Sequence, residues 1–275
     1  MDGLIGREGG RGSVEALLRL ALTPGLGPRT IRASLEGART VDAVLARVER
    51  THRLATSAEA EGILAACRRD RVTTTGLDGT DYPEPLRHLP DPPPVVFHRG
   101  ELGVLTAPRV VIVGSRQATA YGRRVAGVLA AMSARAGWTV VSGMALGIDG
   151  AAHRGALDAG GATAAVLGSG PDRPSPTAHR RLATAIAQEG VLLSELPPGT
   201  PARPHHFPRR NRLLAALADR VVVVEAAKRS GALITARLAL ELGREVWAVP
   251  GPVFSPVCEG THLLLEDGGF RAVRP

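Results

Sequence analysis

Aromatic side chains make up only 3% of this 275-residue chain, cysteine occurs twice, and lysine occurs once, at Lys228. So few ring faces leave little for stacking, and any polyanion would have to be held mainly by charge. Cys67 and Cys258 lie far apart and form no Cys-x-x-Cys unit, which argues against a structural zinc or a disulfide framework and points to a reduced compartment. No stretch approaches the roughly 18 to 20 apolar residues of a membrane span. Met1-Asp2-Gly3-Leu4 begins no basic-then-apolar leader, so a cytoplasmic location with no membrane partner is expected. The scarcity of lysine places nearly all positive charge on arginine, which stays ionised at any working pH. A formal net charge of +8 attracts polyanions, but an arginine- and alanine-rich composition can equally reflect genomic base content or heat adaptation. Charge permits a nucleic-acid partner without deciding for one.

Hydrophobic content of 44% supplies a core, and the length favours one large unit with a small satellite. Residues 1–75 read as a small helical domain. Val14, Leu17, Leu18 and Ala21 keep helical spacing, Thr23-Pro24-Gly25-Leu26-Gly27-Pro28 interrupts, and Ile31 and Leu35 resume it. This turn between helices resembles that of a helix-hairpin-helix or SAM-like module, and it either packs passively or offers amides to a phosphate. Residues 76–108 are proline-dense, with Asp81-Tyr82-Pro83 and Asp91-Pro92-Pro93-Pro94, and read as a linker leading into a short edge strand.

From residue 109 to 275 the pattern alternates. Strand-like runs Val110 to Val113, Thr139 to Ser142, Thr163 to Leu167, Val191 to Ser194, Val221 to Glu225 and Glu245 to Val249 are separated by alanine-rich helical stretches such as Arg123 to Ala136 and Leu233 to Leu242. The expected fold class is α/β: a doubly wound, Rossmann-like, mainly parallel sheet, with ligands at the carboxyl ends of the strands. Those ends carry small or polar residues: Gly114-Ser115-Arg116, Ser142-Gly143-Met144, Gly168-Ser169-Gly170, Ser194-Glu195, and Glu225 running on through Lys228 to Ser230-Gly231. Glycines gathered at one sheet edge imply close backbone approach by a ligand. The Gly-x-Gly-x-x-Gly dinucleotide fingerprint is missing after Val113, as is the Lys-Ser/Thr ending of a P-loop, so neither NAD binding nor nucleotide hydrolysis is expected.

Phe207-Pro208-Arg209-Arg210-Asn211-Arg212 concentrates guanidinium groups in a single turn. With Arg116 beside a strand end, these groups suit a phosphate backbone. Arg210 and Arg212 have an internal alternative, pairing with Glu225 or Asp219. Phe207 could stack on a base or simply pack. Ser142 and Asn211 could bond sugar or phosphate or cap their own loops, and Lys228 could reach the groove or stay solvated. Asp149 and His153 read as an N-cap and a core or loop residue rather than a metal pair. Glu195 and Glu225 lack a nucleophile or metal cluster beside them, so no catalytic residue is assigned.

The ordered set Gly114-Ser115-Arg116 with Tyr121-Gly122, Ser142 to Asp149, His153, Ala165 to Asp172, Ser194-Glu195, Phe207 to Arg212, Val224 to Ala226, Ser230 to Ala236 and Val249-Pro250-Gly251 resembles the DNA-processing protein A (DprA/Smf) family. The resemblance implies a protein without enzymatic activity or cofactor that binds single-stranded DNA, shields incoming DNA and loads RecA recombinase in natural transformation and recombination. It also implies a homodimer, whose surface is expected near Leu263-Leu264-Leu265. Arg173-Pro174-Ser175-Pro176 and Gly260-Thr261-His262 depart from the family pattern, so the resemblance carries no ligand contacts over to those loops. Many members continue into a winged-helix domain, whereas this chain stops at Pro275. The rival expectation is a nucleotide phosphoribohydrolase acting on nucleoside monophosphates, but Ser230 to Thr235 lacks that group's catalytic glutamate spacing.

Overall fold

The computed structural model describes residues 11–267 and 271–273; Met1 to Leu4 and Pro275, used above, lie outside them. Four helices come first: α1 (Arg11–Leu22), α2 (Pro28–Leu35), α3 (Val41–Val48) and α4 (Ser57–Arg69). The expected turn between α1 and α2 is there, with Gly25 at φ 82° and Pro28 opening α2, where its missing N–H costs nothing. Helix α4 begins with a capping box: the Thr56 hydroxyl accepts from the Glu59 amide at 3.2 Å and the Glu59 carboxylate accepts from the Thr56 amide at 2.7 Å.

Next come β1 (Thr73–Gly76), α5 (Glu84–Arg87) and β2 (Val95–Gly100). The remainder alternates as β3 (Arg109–Gly114), α6 (Ala120–Arg135), β4 (Thr139–Ser142), α7 (Ile148–Asp158), β5 (Thr163–Val166), α8 (Arg180–Glu189) and β6 (Val191–Ser194). It continues as α9 (His206–Leu217), β7 (Arg220–Val224), α10 (Gly231–Glu241), β8 (Glu245–Ala248), α11 (Glu259–Glu266) and β9 (Arg271–Ala272). The strands form one sheet of order β1-β2-β6-β5-β4-β3-β7-β8-β9. Pairing is parallel from β6 across to β9 and antiparallel for β1 with β2 and β2 with β6.

Both faces of this sheet are covered, as its apolar strands require. On β3, Val111 and Val113 join one apolar cluster with Leu213 and Leu217 of α9, while Val110 and Ile112 join another with Ala126 and Ala130 of α6. That split follows from the period-2 alternation of a strand.

Residues 76–108 differ from the linker and short edge strand expected of them. β2 is not an edge strand but sits between β1 and β6, and β1 itself went unrecognised because Thr73-Thr74-Thr75-Gly76 carries no apolar alternation. The proline-dense stretch is packed, with Tyr82 only 3% exposed and its hydroxyl donating to the Pro93 carbonyl at 2.8 Å. Leu17 and Leu20 of α1, Phe97 of β2 and Leu193 of β6 belong to the same apolar cluster.

In this sheet β4, β5 and β6 wind to one side of β3 while β7 and β8 wind to the other. The order of the strands reverses between β3 and β7, and doubly wound sheets take their ligands outside the carboxyl ends of the strands at such a reversal.

Candidate functional site

At that reversal the end of β3 is drawn tight against β7. A side chain on Gly114 would begin 1.8 Å from the Val224 carbonyl oxygen, so glycine is required there. The Ser115 amide donates to the Glu225 carbonyl at 2.6 Å, and the Ser115 hydroxyl accepts from the Gln117 amide at 3.1 Å, turning the chain outward at Arg116. Glu225 takes a left-handed conformation, φ 52°, while 2% exposed. Such a backbone costs about 1 to 3 kcal/mol and persists only when neighbours fix it. Here the carboxylate accepts from the Thr119 amide at 2.8 Å and from the Thr119 hydroxyl, pinning the β3–α6 loop to β7.

Arg116 is exposed, and its guanidinium lies over the Phe207 ring, 5.0 Å from the centroid. Among the described residues it has no carboxylate within ion-pair distance. Asn211, one turn beyond Phe207 on α9, donates to the Gly231 carbonyl at 3.2 Å and so ties this helix to the start of α10. Ser230 caps α10, its hydroxyl accepting from the Ala232 amide at 3.2 Å, and Gly231 is exposed beside it. Lys228 and Arg229 are exposed in the same β7–α10 loop. Arg116 and Phe207 thus meet at the carboxyl end of the sheet, while Ser230 and Gly231, tied to α9 through Asn211, open α10 at the positive end of its dipole, with Lys228 exposed in the loop before them.

The arginines of the Phe207 to Arg212 turn do not share a single role. Arg210 points inward and is 5% exposed. Its Nη1 donates to the Gly143 carbonyl at 2.8 Å and to that of Val166, and its Nε to the Asn211 side-chain oxygen at 3.3 Å. Burial lowers its pKa to about 10, against the opposing pull of Asp149. Burial pushes the Asp149 carboxyl up, opposed by Arg210 and by the Ala145 amide that donates to it at 3.2 Å. Arg212, 12% exposed in its side chain, sits between Glu195 at 2.6 Å and Asp91 at 3.1 Å. Arg209 is 50% exposed and reaches the other Glu195 oxygen at 3.1 Å. The internal partners suggested by the sequence, Glu225 and Asp219, are otherwise engaged: Glu225 holds Thr119, and Asp219 bonds Arg109 at 2.8 Å.

The glycines also divide. At Gly143 an added Cβ would meet the Arg210 guanidinium at 2.6 Å, at Gly168 the Phe207 ring at 3.0 Å, and at Gly170 the Pro197 carbonyl at 2.6 Å. The room these glycines leave is taken by the protein itself, chiefly by α9. Gly231 differs, having only the Asn211 amide nitrogen nearby, 4.0 Å from such a Cβ. Ser142 is fully buried and donates to the Ile112 carbonyl at 2.6 Å, so it faces the sheet interior.

Asp149 lies within the first turn of α7 rather than at its N-cap, which is Gly147 at φ 77°. His153 is fully buried, its Nδ1 2.7 Å from the Thr163 hydroxyl, and burial pushes its pKa down to about 3. Among the described residues no group of three or more His, Cys, Asp or Glu side chains is placed to hold a metal ion, and no helix is long and apolar enough to cross a membrane. Sequence reasoning missed Thr119 as the clamp on Glu225, and it left out Arg203 and His205, which are exposed just ahead of α9. The basic, proline-broken run Pro201-Ala202-Arg203-Pro204-His205-His206 was the available signal for the last two.

Residues 73–274 match the family described as DNA recombination-mediator protein A. The chain is 42% identical over 207 residues to DNA processing protein DprA of Bacillus subtilis, covering 75% of this chain and 70% of that protein. It is 56% identical over 169 residues to a putative DNA processing protein DprA of Mycobacterium tuberculosis H37Rv, covering 61% of this chain and 43% of that one. The X-ray structure of DNA processing protein A from Streptococcus pneumoniae is similar with a TM-score of 0.75 at 32% identity, covering 94% of this chain and 89% of that one. A Helicobacter pylori DNA processing protein A, whose structure concerns a single-stranded DNA binding mode, is similar with a TM-score of 0.69 at 30% identity, covering 74% and 92%. A family match across this whole sheet, joined to the exposed arginine at its reversal point, makes the chain a member of the DNA recombination-mediator protein A family.

Proposed function

We propose that the chain binds single-stranded DNA along the rim built by Arg116, Phe207, Arg209, Lys228 and the Ser230-Gly231 start of α10, protecting the DNA and presenting it to RecA recombinase. The observation that carries this reading is Arg116: an exposed cation with no carboxylate partner among the described residues, braced on an aromatic ring at the sheet's reversal point. Guanidinium and amide groups grip phosphates without reading bases, which gives sequence-tolerant affinity. The H. pylori relative, whose structure concerns single-stranded DNA binding, supports the choice of ligand. In this reading the chain acts in the cytoplasm by binding rather than by catalysis, and the helices from Arg11 to Arg69 form a module ahead of the DNA-binding region.

The reading includes a homodimer through the C-terminal end, where Val253, Phe254 and Leu263 are 75%, 97% and 43% exposed. Joining two DNA sites raises avidity by about a hundredfold where both engage. The deciding experiment is a titration of a labelled oligonucleotide at several salt concentrations. The reading requires a log-log slope of about −0.7 per phosphate neutralised. Salt-independent or undetectable binding would refute it, and release of base from nucleoside monophosphates would replace it with an enzymatic reading.

A further inference from the structure

Away from those strand ends, on the sheet face covered by α6 and α7, the two helices meet along glycine. A Cβ on Gly155 would lie 2.3 Å from the Gly127 carbonyl, so the backbones approach closely and leave a shallow groove above them. It has a volume of about 700 Å³. Its floor is Gly127, Ala131 and Ala151, and its apolar wall is Val128 and Met132, 50% and 59% exposed. Four arginines stand around it, Arg123, Arg124, Arg135 and Arg154, all exposed. None of the four is in an ion pair among the described residues. Arg123 donates to the Ala118 carbonyl, and Asp158 is the one carboxylate in the lining.

Exposed Val and Met over a small-residue floor suit an apolar side chain rather than a base, since the groove lining contains no aromatic ring. Unpaired guanidinium groups at its margins call for carboxylates. From Arg123 to Arg135 the groove follows about 18 Å of helix, the length of roughly three turns. We infer that the α6–α7 groove docks an acidic amphipathic helix of a partner protein, with its apolar stripe on Val128 and Met132 and its carboxylates on the surrounding arginines. This surface is separate from the proposed DNA rim, and the inference does not depend on that rim's ligand.

The probe is a labelled synthetic peptide of about 18 residues, with Leu at helical i, i+3, i+4 and i+7 positions and Glu at most others. Anisotropy titrations compare the wild-type protein with Met132→Glu and with Arg124→Glu/Arg135→Glu. Each variant is expected to weaken binding about tenfold or more, and a permuted peptide of equal composition to bind as weakly. All three substitutions are at exposed positions, and unchanged urea midpoints will confirm that the variants fold. Absent binding, equal binding of the permuted peptide, or variants indistinguishable from wild type would each overturn the inference. So would a single-stranded oligonucleotide whose salt slope falls in the double arginine variant, because the groove would then be a nucleic-acid track.

Discussion

The guanidinium of Arg116 rests on the face of Phe207, 5.0 Å from the ring centroid, so the end of β3 and the first turn of α9 share one cationic contact. The ring holds the charge in place without neutralising it, as a carboxylate would. A cation–π contact of this kind contributes about 0.5 to 1 kcal/mol at an exposed site. The arrangement leaves the donors of the guanidinium free for an anion.

Arg116→Ala should therefore weaken oligonucleotide binding and reduce the salt slope by about 0.7. Arg116→Lys should keep the slope but lose affinity, because an ammonium has no planar fork to set on phosphate. Phe207→Leu should lower affinity while leaving the slope intact. Anisotropy at several salt concentrations separates the three outcomes, and a wild-type slope in Arg116→Ala would refute the assignment.

Arg210 should behave oppositely. Replacing it with Leu leaves the buried Gly143 and Val166 carbonyls without their donor, at about 1 to 3 kcal/mol for each, and removes the charge that favours the buried Asp149 carboxylate. Adding Asp149→Leu should recover part of that loss, since the stranded charge is then gone. Urea denaturation of both single variants and the double variant measures the coupling. Additive losses would show that the two side chains do not act as a pair.

Glycine substitutions should separate internal packing from ligand approach. Gly143→Ala places a methyl group 2.6 Å from the Arg210 guanidinium and should destabilise the fold by about 1 to 3 kcal/mol. Gly231→Ala meets only Asn211, at 4.0 Å, and should leave stability nearly unchanged while reducing DNA affinity by crowding the exposed start of α10. Equal denaturation midpoints for Gly143→Ala and wild type would contradict the packing described.

Acid should weaken the fold through His153. Its folded pKa, about 3, lies below the ordinary 6.5, so the unfolded chain binds the extra proton between those values. Stability from this group is complete above pH 6.5 and is lost as the pH falls toward 3, at up to about 1.4 kcal/mol per pH unit. His98, lowered in the same direction by burial, adds to the trend. The His153→Gln variant should show a flatter dependence of urea stability on pH across this window. An unchanged dependence would exclude His153 as a source.

Much of this architecture was readable because buried parallel strands are apolar on both faces. Val110 to Val113 and Val221 to Glu225 could be little else, and observed strands β3 and β7 agree within a residue or two. β1 escaped because three threonines and a glycine show no face preference, and its place depends on pairing with β2. At the rim, residue type identified arginines but not their direction. Arg209, Arg210 and Arg212 are near neighbours in sequence, yet the turn of α9 places one at the surface, one beneath Gly143 and one between Glu195 and Asp91. At the strand-end glycines the sequence could not show what occupies the room beside the backbone, which at Gly143 and Gly168 is a side chain of α9.

The placement of β2 between β1 and β6 has a consequence for any shortened form of the chain. Cutting before residue 108 would strip β6 of its outer neighbour and bare a row of backbone donors and acceptors along Val191 to Ser194. Such a fragment would keep the arginine at the reversal point but acquire a sticky margin, inviting foreign strands to zip onto it. β1 and β2 thus cover the flank of β6 and leave only the short, threonine-rich β1 at that margin.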